Sequence, residues 1–246
     1  MKKITLLIFV LLIQWHCQKD AQISSGTGVG GSLARFAILG NKMYVVTTDK
    51  LKTFDISNSS QLKQLNEIKL SGLNDIETIF AFDRNLFIGS RSALHLYKID
   101  SLGFPKFANI ANHSWGCDPV VANDSVAFVT TCNGRTCRLG NNNSNQLIIY
   151  NVKDINRPVQ ISVLPMTFPN GVGLDKNILF VCDNGIRVFD VSKPNNLRLI
   201  RHIQGVDALD VIPLNGQLLV IGENLLTQMD YKNIENIKVI SEFKLR

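Results

Sequence analysis

Five polar residues of the chain could share one binding site. Each stands where a short apolar run begins, and the residues are Arg35, Glu77, Asp118, Asn170 and Asp210, with Asp207 close to the last. Carboxylates and an amide that converge would suit a divalent cation or the hydroxyl groups of a sugar. The alternative is that these side chains only solvate a polar rim, so the fold must decide whether they meet.

Other catalytic patterns do not occur in the sequence. There is no G-x-S-x-G elbow, no H-E-x-x-H pair and no phosphate-binding loop. The stretch "GTGVGG" (26–31) has neither a strand before it nor a helix after it, which indicates a flexible tether. His95, His113 and His202 fall in different repeat units, so they do not form a metal-ligand set.

The first sixteen residues read as an export signal. "MKK" supplies positive charge, and "ITLLIFVLLI" is an apolar run too short to span a bilayer. Cys17 follows directly, and this arrangement resembles a bacterial lipoprotein signal whose cysteine becomes acylated. Gln14 and His16 depart from the usual lipobox, and the alternative is a secretory leader cut near "DAQISS". Residues 17–32 are polar and rich in Gly and Ser, as expected of a tether.

Four further cysteines remain: Cys117, Cys132, Cys137 and Cys182. In an exported protein four cysteines allow up to two disulfides, in three connectivities. None of their spacings is typical of a zinc site. The apolar surroundings of Cys182 in "ILFVCD" predict a buried free thiol.

Composition excludes two classes of protein. The chain is 45% hydrophobic and 19% charged, which is globular rather than disordered. Its net charge of +6 is scattered, and Arg135 and Arg138 are the nearest approach to a basic cluster. A nucleic-acid-binding surface needs a basic face with interleaved aromatic residues, so nucleic acid is not an expected partner.

A strand-turn phrase recurs along the chain. It reads "LKTFDIS" at 51–57, "LIIYNV" at 147–152 and "IRVFDVS" at 186–192, and an apolar strand precedes each copy. A period of about forty residues with four short strands is typical of a β-propeller blade. After the phrase, an Asp, Asn or Ser followed by Pro or Asn predicts a tight reversal through side-chain to backbone hydrogen bonds.

We therefore predict an all-β fold, a five-bladed β-propeller of four-stranded antiparallel blades. The blades are expected at 33–72, 73–115, 116–168, 169–206 and 207–246. Blades stacked around a ring bury one another's faces, which a lone four-stranded sheet cannot do. An open two-sheet sandwich is the competing architecture. The sequence leaves open whether "TGVGG" (27–31) adds a strand that closes the ring.

The same phrases resemble the LVIVD repeat of exported bacterial propellers. The segments "LIIYNVKDINRP", "CDPVVANDSVAFVT" and "GVGLDKNILFVCDNGIRVFDVSKP" carry the resemblance, which extends over most of the chain after the tether. Lys98, where Asp is usual, and "LTQMDYKNIEN" in the last unit depart from the pattern. The resemblance implies a propeller, export, frequently a lipid anchor, and no common activity. It also implies a disulfide between Cys117 and Cys137, with Cys132 as the competing partner.

These observations lead to two functional hypotheses. The first is a non-enzymatic binding or scaffolding module of the cell envelope, anchored in a membrane through Cys17 and facing the periplasm or the cell surface. Its partner would be an envelope protein or a glycan, bound by one propeller face and the 132–146 loop. The alternative is a propeller-type hydrolase or lyase, in which rim carboxylates hold a metal. No cofactor is expected beyond a divalent cation at the channel mouth.

Overall fold

The computed structural model describes residues 30–70, 76–113, 116, 119–132 and 145–246. They form five separate four-stranded antiparallel sheets, and each sheet uses consecutive strands of the chain. The predicted five-bladed β-propeller is therefore confirmed, and the two-sheet sandwich is wrong. Among the described residues, no helix has the length and apolar character needed to cross a bilayer.

The described residues form twenty strands, and each sheet lies inside one of the predicted units. Blade 1 contains β1–β4, at Phe36–Leu39, Lys42–Val46, Lys50–Asp55 and Lys63–Lys69. Blade 2 contains β5–β8, at Ile76–Phe82, Asn85–Ser90, Ala93–Ile99 and Pro105–Asn112. Blade 3 contains β9–β12, at Val120–Ala122, Val126–Thr131, Gln146–Asn151 and Val159–Pro165.

The last two blades follow the same plan. Blade 4 contains β13–β16, at Pro169–Asp175, Ile178–Asp183, Ile186–Asp190 and Arg198–Ile203. Blade 5 contains β17–β20, at Asp210–Leu214, Gln217–Ile221, Leu225–Asp230 and Lys238–Lys244. A 3₁₀ turn, Ile234–Asn236, precedes β20.

The recurring phrase is a hairpin with a side-chain cap. The oxygen of Asp55 accepts the Ser57 N–H at 2.9 Å, and Asp190 accepts the Ser192 N–H at 3.0 Å. In blade 2, where Lys98 replaces the usual Asp, Asp100 accepts the Leu102 N–H at 2.9 Å. The capping carboxylate of blade 2 thus lies two residues further along the chain, and the turn is still capped although Lys98 departs from the repeat.

Large residues at equivalent positions fill the spaces between blades. Tyr44, Phe87, Phe128 and Phe180 lie on the second strands of blades 1 to 4, and each is at most 1% exposed. Each belongs to the apolar cluster that its blade shares with the next blade. An inner blade packs against a neighbour on each side, so both of its faces must be apolar. Successive residues of a strand point to opposite faces, so the two requirements together call for apolar residues at consecutive positions. This explains why second strands such as "LFIG" and "LFVC" are apolar throughout.

The ring is not continuous between its first and last blades. The innermost strands of consecutive blades lie in contact from β1 through β5, β9 and β13 to β17. Among the described residues, β17 and β1 show no comparable contact. No strand is exchanged between the two blades either, because each sheet is complete within its own unit. The connection is made by the segment that precedes β1.

His95, buried in blade 2, gives a prediction for acid stability. The side chain is 3% exposed, and its Nε2 atom lies 3.3 Å from the Ser90 hydroxyl. Burial, with a smaller contribution from His113, lowers its pKa from 6.5 to about 4. The unfolded chain therefore binds the proton more tightly than the folded chain does. Protonation of His95 consequently lowers the free energy of unfolding: the full stability is present above pH 6.5, and up to about 3 kcal/mol of it is lost as the pH falls towards 4.

We expect urea unfolding of His95→Gln to depend less steeply on pH between 6.5 and 4 than unfolding of the wild type. The partly exposed His202 provides the control, and His202→Gln should retain the wild-type slope. Equal slopes for His95→Gln and the wild type would contradict the assignment.

Candidate functional site

The centre of the ring is occupied by the chain itself. The buried Ser32 donates its hydroxyl to Asp210 Oδ1 at 2.9 Å and accepts the Val172 N–H at 2.8 Å. The Leu33 N–H donates to Asp210 Oδ2 at 3.2 Å. On the other side, the Ala34 carbonyl accepts the Ile79 N–H at 2.9 Å. The segment Gly30–Arg35, here called the central segment, thus links blades 2, 4 and 5.

The central segment runs along the axis of the channel. Ser32 lies at the start of β17, beside Asp210, whereas Gly30 lines a cavity of about 240 Å³ together with Leu174 and Leu214 near the far ends of the inner strands. This path requires glycine where the backbone passes close to Asp210, because a side chain would not fit there. A Cβ atom on Gly31 would overlap the Asp210 carboxylate, and so would a Cβ atom on Gly171. Gly31 of the predicted tether is therefore a packing requirement of the ring.

Asp210 is a buried carboxylate held by this segment. It is 7% exposed, and burial raises its pKa, while the hydrogen bonds from Leu33 and Ser32 act in the opposite direction. Its two oxygens already accept the Ser32 hydroxyl and the N–H groups of Leu33 and Val211. The residue that the sequence placed on an open rim is therefore enclosed.

Arg35 and Glu77 lie together at the junction of blades 1 and 2. The exposed Arg35 donates from Nη2 to the Ile76 carbonyl at 2.8 Å. Glu77, the next residue, accepts from Arg91 Nε at 3.1 Å. Both side chains are used by contacts within the ring.

Asn170 lies at the start of blade 4, near Asp210. Its side-chain amide donates to the Phe168 backbone carbonyl at 3.1 Å, and its backbone carbonyl accepts the Thr130 hydroxyl at 2.6 Å. No hydrogen bond or ion pair links this pair to Arg35 and Glu77 within the part of the chain that the structure describes. Asp118, the fifth member of the predicted set, lies outside the described residues.

A pocket beside the starts of β13 and β17 is bordered by an aromatic residue that was not among the predicted site residues. Phe168 is 52% exposed and borders a cavity of about 470 Å³ between blades 4 and 5. Asn170, Asn184 and Asp207 add amide and carboxylate groups to its wall. An aromatic face beside a few polar groups suits a small polar ligand such as a sugar. The turn "TFPNG" in the sequence was the signal for this exposed aromatic residue.

Asp183 fixes the position of Phe168. This carboxylate is fully buried and accepts the N–H groups of Thr167 at 3.0 Å and of Phe168 at 2.6 Å. Arg187 Nε lies 2.9 Å from Asp183 Oδ2, an ion pair whose N–H is not aligned for a hydrogen bond. The strand-end position of Asp183 in "VCDNG" gave no sign of this role.

The described residues contain no group of three or more His, Cys, Asp or Glu side chains that could hold a metal ion. Cys132 and Cys182 are free, buried thiols, and burial raises the pKa of both. The free thiol predicted at Cys182 is confirmed. Cys17, Cys117 and Cys137 lie outside the described residues, as does most of the 132–146 loop.

Comparison with known proteins supports the fold. No family model and no curated protein matches the chain. A protein from Lactobacillus plantarum matches with TM-score 0.64 and 12% identity over 84% of this chain and 73% of that one. A functionally unknown protein from Desulfotomaculum acetoxidans DSM 771 matches with TM-score 0.66 and 11% identity, over 85% and 69%.

The periplasmic gluconolactonase of Pseudomonas aeruginosa is a third match, with TM-score 0.63 and 12% identity over 83% of this chain and 68% of that one. At this level of identity the likeness shows the fold alone. The chain is thus similar to several propellers, and its function must be inferred from its own residues.

Loss of Asp183 should destabilise the protein. Asp183→Ala leaves Arg187 without its buried carboxylate partner and the part-buried N–H groups of Thr167 and Phe168 without their acceptor, and we expect the free energy of unfolding to fall by about 3 kcal/mol. Asp190→Ala removes a carboxylate of the same blade that pairs with Arg198, where the arginine side chain is 68% exposed. Urea unfolding should show a much smaller loss for this control, and similar losses would contradict the role given to Asp183.

Proposed function

We propose that the chain is a non-enzymatic binding or scaffolding module of the cell envelope. The observation that carries the proposal is the occupied centre of the ring. The hydroxyl of Ser32 and the N–H of Leu33 engage Asp210, so the central segment occupies the channel beside the first strands of blades 4 and 5 and already uses a carboxylate that a metal or substrate would need. An LVIVD-type propeller with an acylated Cys17 fits this role, since that family has no common activity.

The competing function is a propeller-type hydrolase or lyase with a metal at the channel rim. Its carboxylates would be Glu77, Asp118 and Asp210. Glu77 pairs with Arg91 and Asp210 is enclosed by the central segment, so recruiting them for a metal would break existing contacts. This cost favours the binding module.

The proposed ligand-binding surface is the pocket beside Phe168. The exposed ring offers a stacking face, and Asn170, Asn184 and Asp207 offer hydrogen-bonding groups around it. This combination favours an envelope glycan over an apolar ligand.

A thermal-shift assay on the full chain tests this assignment. We expect glycan fragments from bacterial envelopes to raise the melting temperature, because a ligand that binds only the folded state stabilises it. Phe168→Ala should abolish the shift, whereas Phe107→Ala, at a residue of blade 2 that is 58% exposed, should leave it intact.

The same assay includes divalent cations, with and without chelator. A cation-dependent shift that disappears in Glu77→Ala or Asp118→Ala would support the enzyme instead. A shift that survives in Phe168→Ala would refute the pocket.

The anchor can be tested separately. If Cys17 is acylated, Cys17→Ser should lose label from radioactive palmitate and move from the membrane fraction to the soluble fraction. Cys182→Ser, which alters a buried thiol of the ring, should keep both properties. A Cys17→Ser protein that stays in the membrane fraction would rule out the lipid anchor.

A further inference from the structure

The outer side of blade 5 has the composition of a buried surface but is exposed. We call the side of a blade that faces the next blade its distal face and the other side its proximal face. On the distal face of blade 4, Cys182 and Ile186 pair across β14 and β15, and both are 0% exposed because blade 5 covers them. Ile221 and Leu226 form the equivalent pair on blade 5, and they are 45% and 38% exposed.

The outermost strand extends this surface. In blade 4, Ile203 pairs with Ile186 and packs against the apolar cluster shared with blade 5. Its counterpart Phe243 pairs with Leu226 and is 67% exposed. Positions that are covered in blade 4 are therefore equally apolar but uncovered in blade 5.

The proximal face of blade 1 shows the complementary exposure. Ile79 and Ala81 on the proximal face of blade 2 are 1% and 2% exposed. Phe36 and Ile38 occupy the same register positions in blade 1, and they are 54% and 38% exposed. Repeat proteins normally end in units with polar outer faces. Neither terminal blade of the described ring has such a face.

We propose that a second copy of the chain covers these faces, with the distal face of blade 5 in one copy packed against the proximal face of blade 1 in the other. The same type of contact joins every consecutive pair of blades, so the proposed interface continues an arrangement already present four times in the ring. Within one copy of the described ring the two faces do not meet: blade 5 packs against blade 4, but β17 makes no comparable contact with β1, and the central segment makes the connection there.

The size of the faces sets the strength of the contact. A four-stranded face with six residues per strand covers about 400 Å² of flat sheet, so one contact involves about 800 Å² over both copies. This is less than the roughly 1,200 Å² at which stable specific interfaces begin, so a single contact is weak and the association depends on concentration. The contact joins two different surfaces, so it is heterologous.

Site-specific photo-crosslinking in cells tests the proposal with the full chain. A benzophenone amino acid replaces Phe243 in a copy with one epitope tag, and a copy with a second tag is co-expressed. We expect a crosslinked product that carries both tags. The same amino acid at Phe107, which is 58% exposed on blade 2, should give no such product.

The heterologous contact predicts an asymmetric effect of Phe36→Glu. In the copy without the probe, a charge on the proximal face of blade 1 should reduce the two-tag product by about tenfold or more. In the copy that carries the probe at position 243, the same substitution should leave the product unchanged. That retained product also shows that the Phe36→Glu chain folds.

Three results would overturn the proposal. They are the absence of a two-tag product, an equal loss whichever copy carries Phe36→Glu, and crosslinking from position 243 only to a different protein.

Discussion

Each sheet of the described ring has two apolar faces, and packing these faces against neighbouring blades is what stabilises the fold. A single strand residue can serve only one face, so the second strands are apolar at nearly every position. Phe87, Phe128 and Phe180 each fill the space between their own blade and the next one. The ring arrangement follows from this need, and so does the exposure of apolar residues where the ring is interrupted.

The central segment connects this architecture to function. Ser32 and Leu33 bind Asp210, while Ala34 and Arg35 bond to the backbone of blade 2. The hydrogen bonds that this segment makes tie blade 2 to blades 4 and 5 across the centre of the ring. They also use the polar groups that a ligand in the channel would need. Because the polar groups at the centre are used in these hydrogen bonds, the candidate binding surface is the pocket beside Phe168 instead.

The sequence predicted local features well because they depend on short-range chemistry. The cap of Asp190 on Ser192 is such a feature, since the side chain and the N–H it accepts are two residues apart. The burial of Cys182 followed from its apolar neighbours. The candidate rim was predicted less well. Arg35, Glu77, Asn170 and Asp210 do begin their blades, but they divide into two separate groups with partners that the sequence pattern does not specify.

The sequence by itself determined the number of blades, their boundaries and the chemistry of their turns, because each of these repeats within about forty residues. Only the tertiary structure decided that Ser32 lies on Asp210, 178 positions away, and that Asp183 holds Phe168 at the edge of a pocket. It also decided that Ile221 and Phe243 are exposed while their counterparts in blade 4 are covered. Such outcomes depend on which blade lies next to which in space, and a residue's type and immediate neighbours carry no information about that.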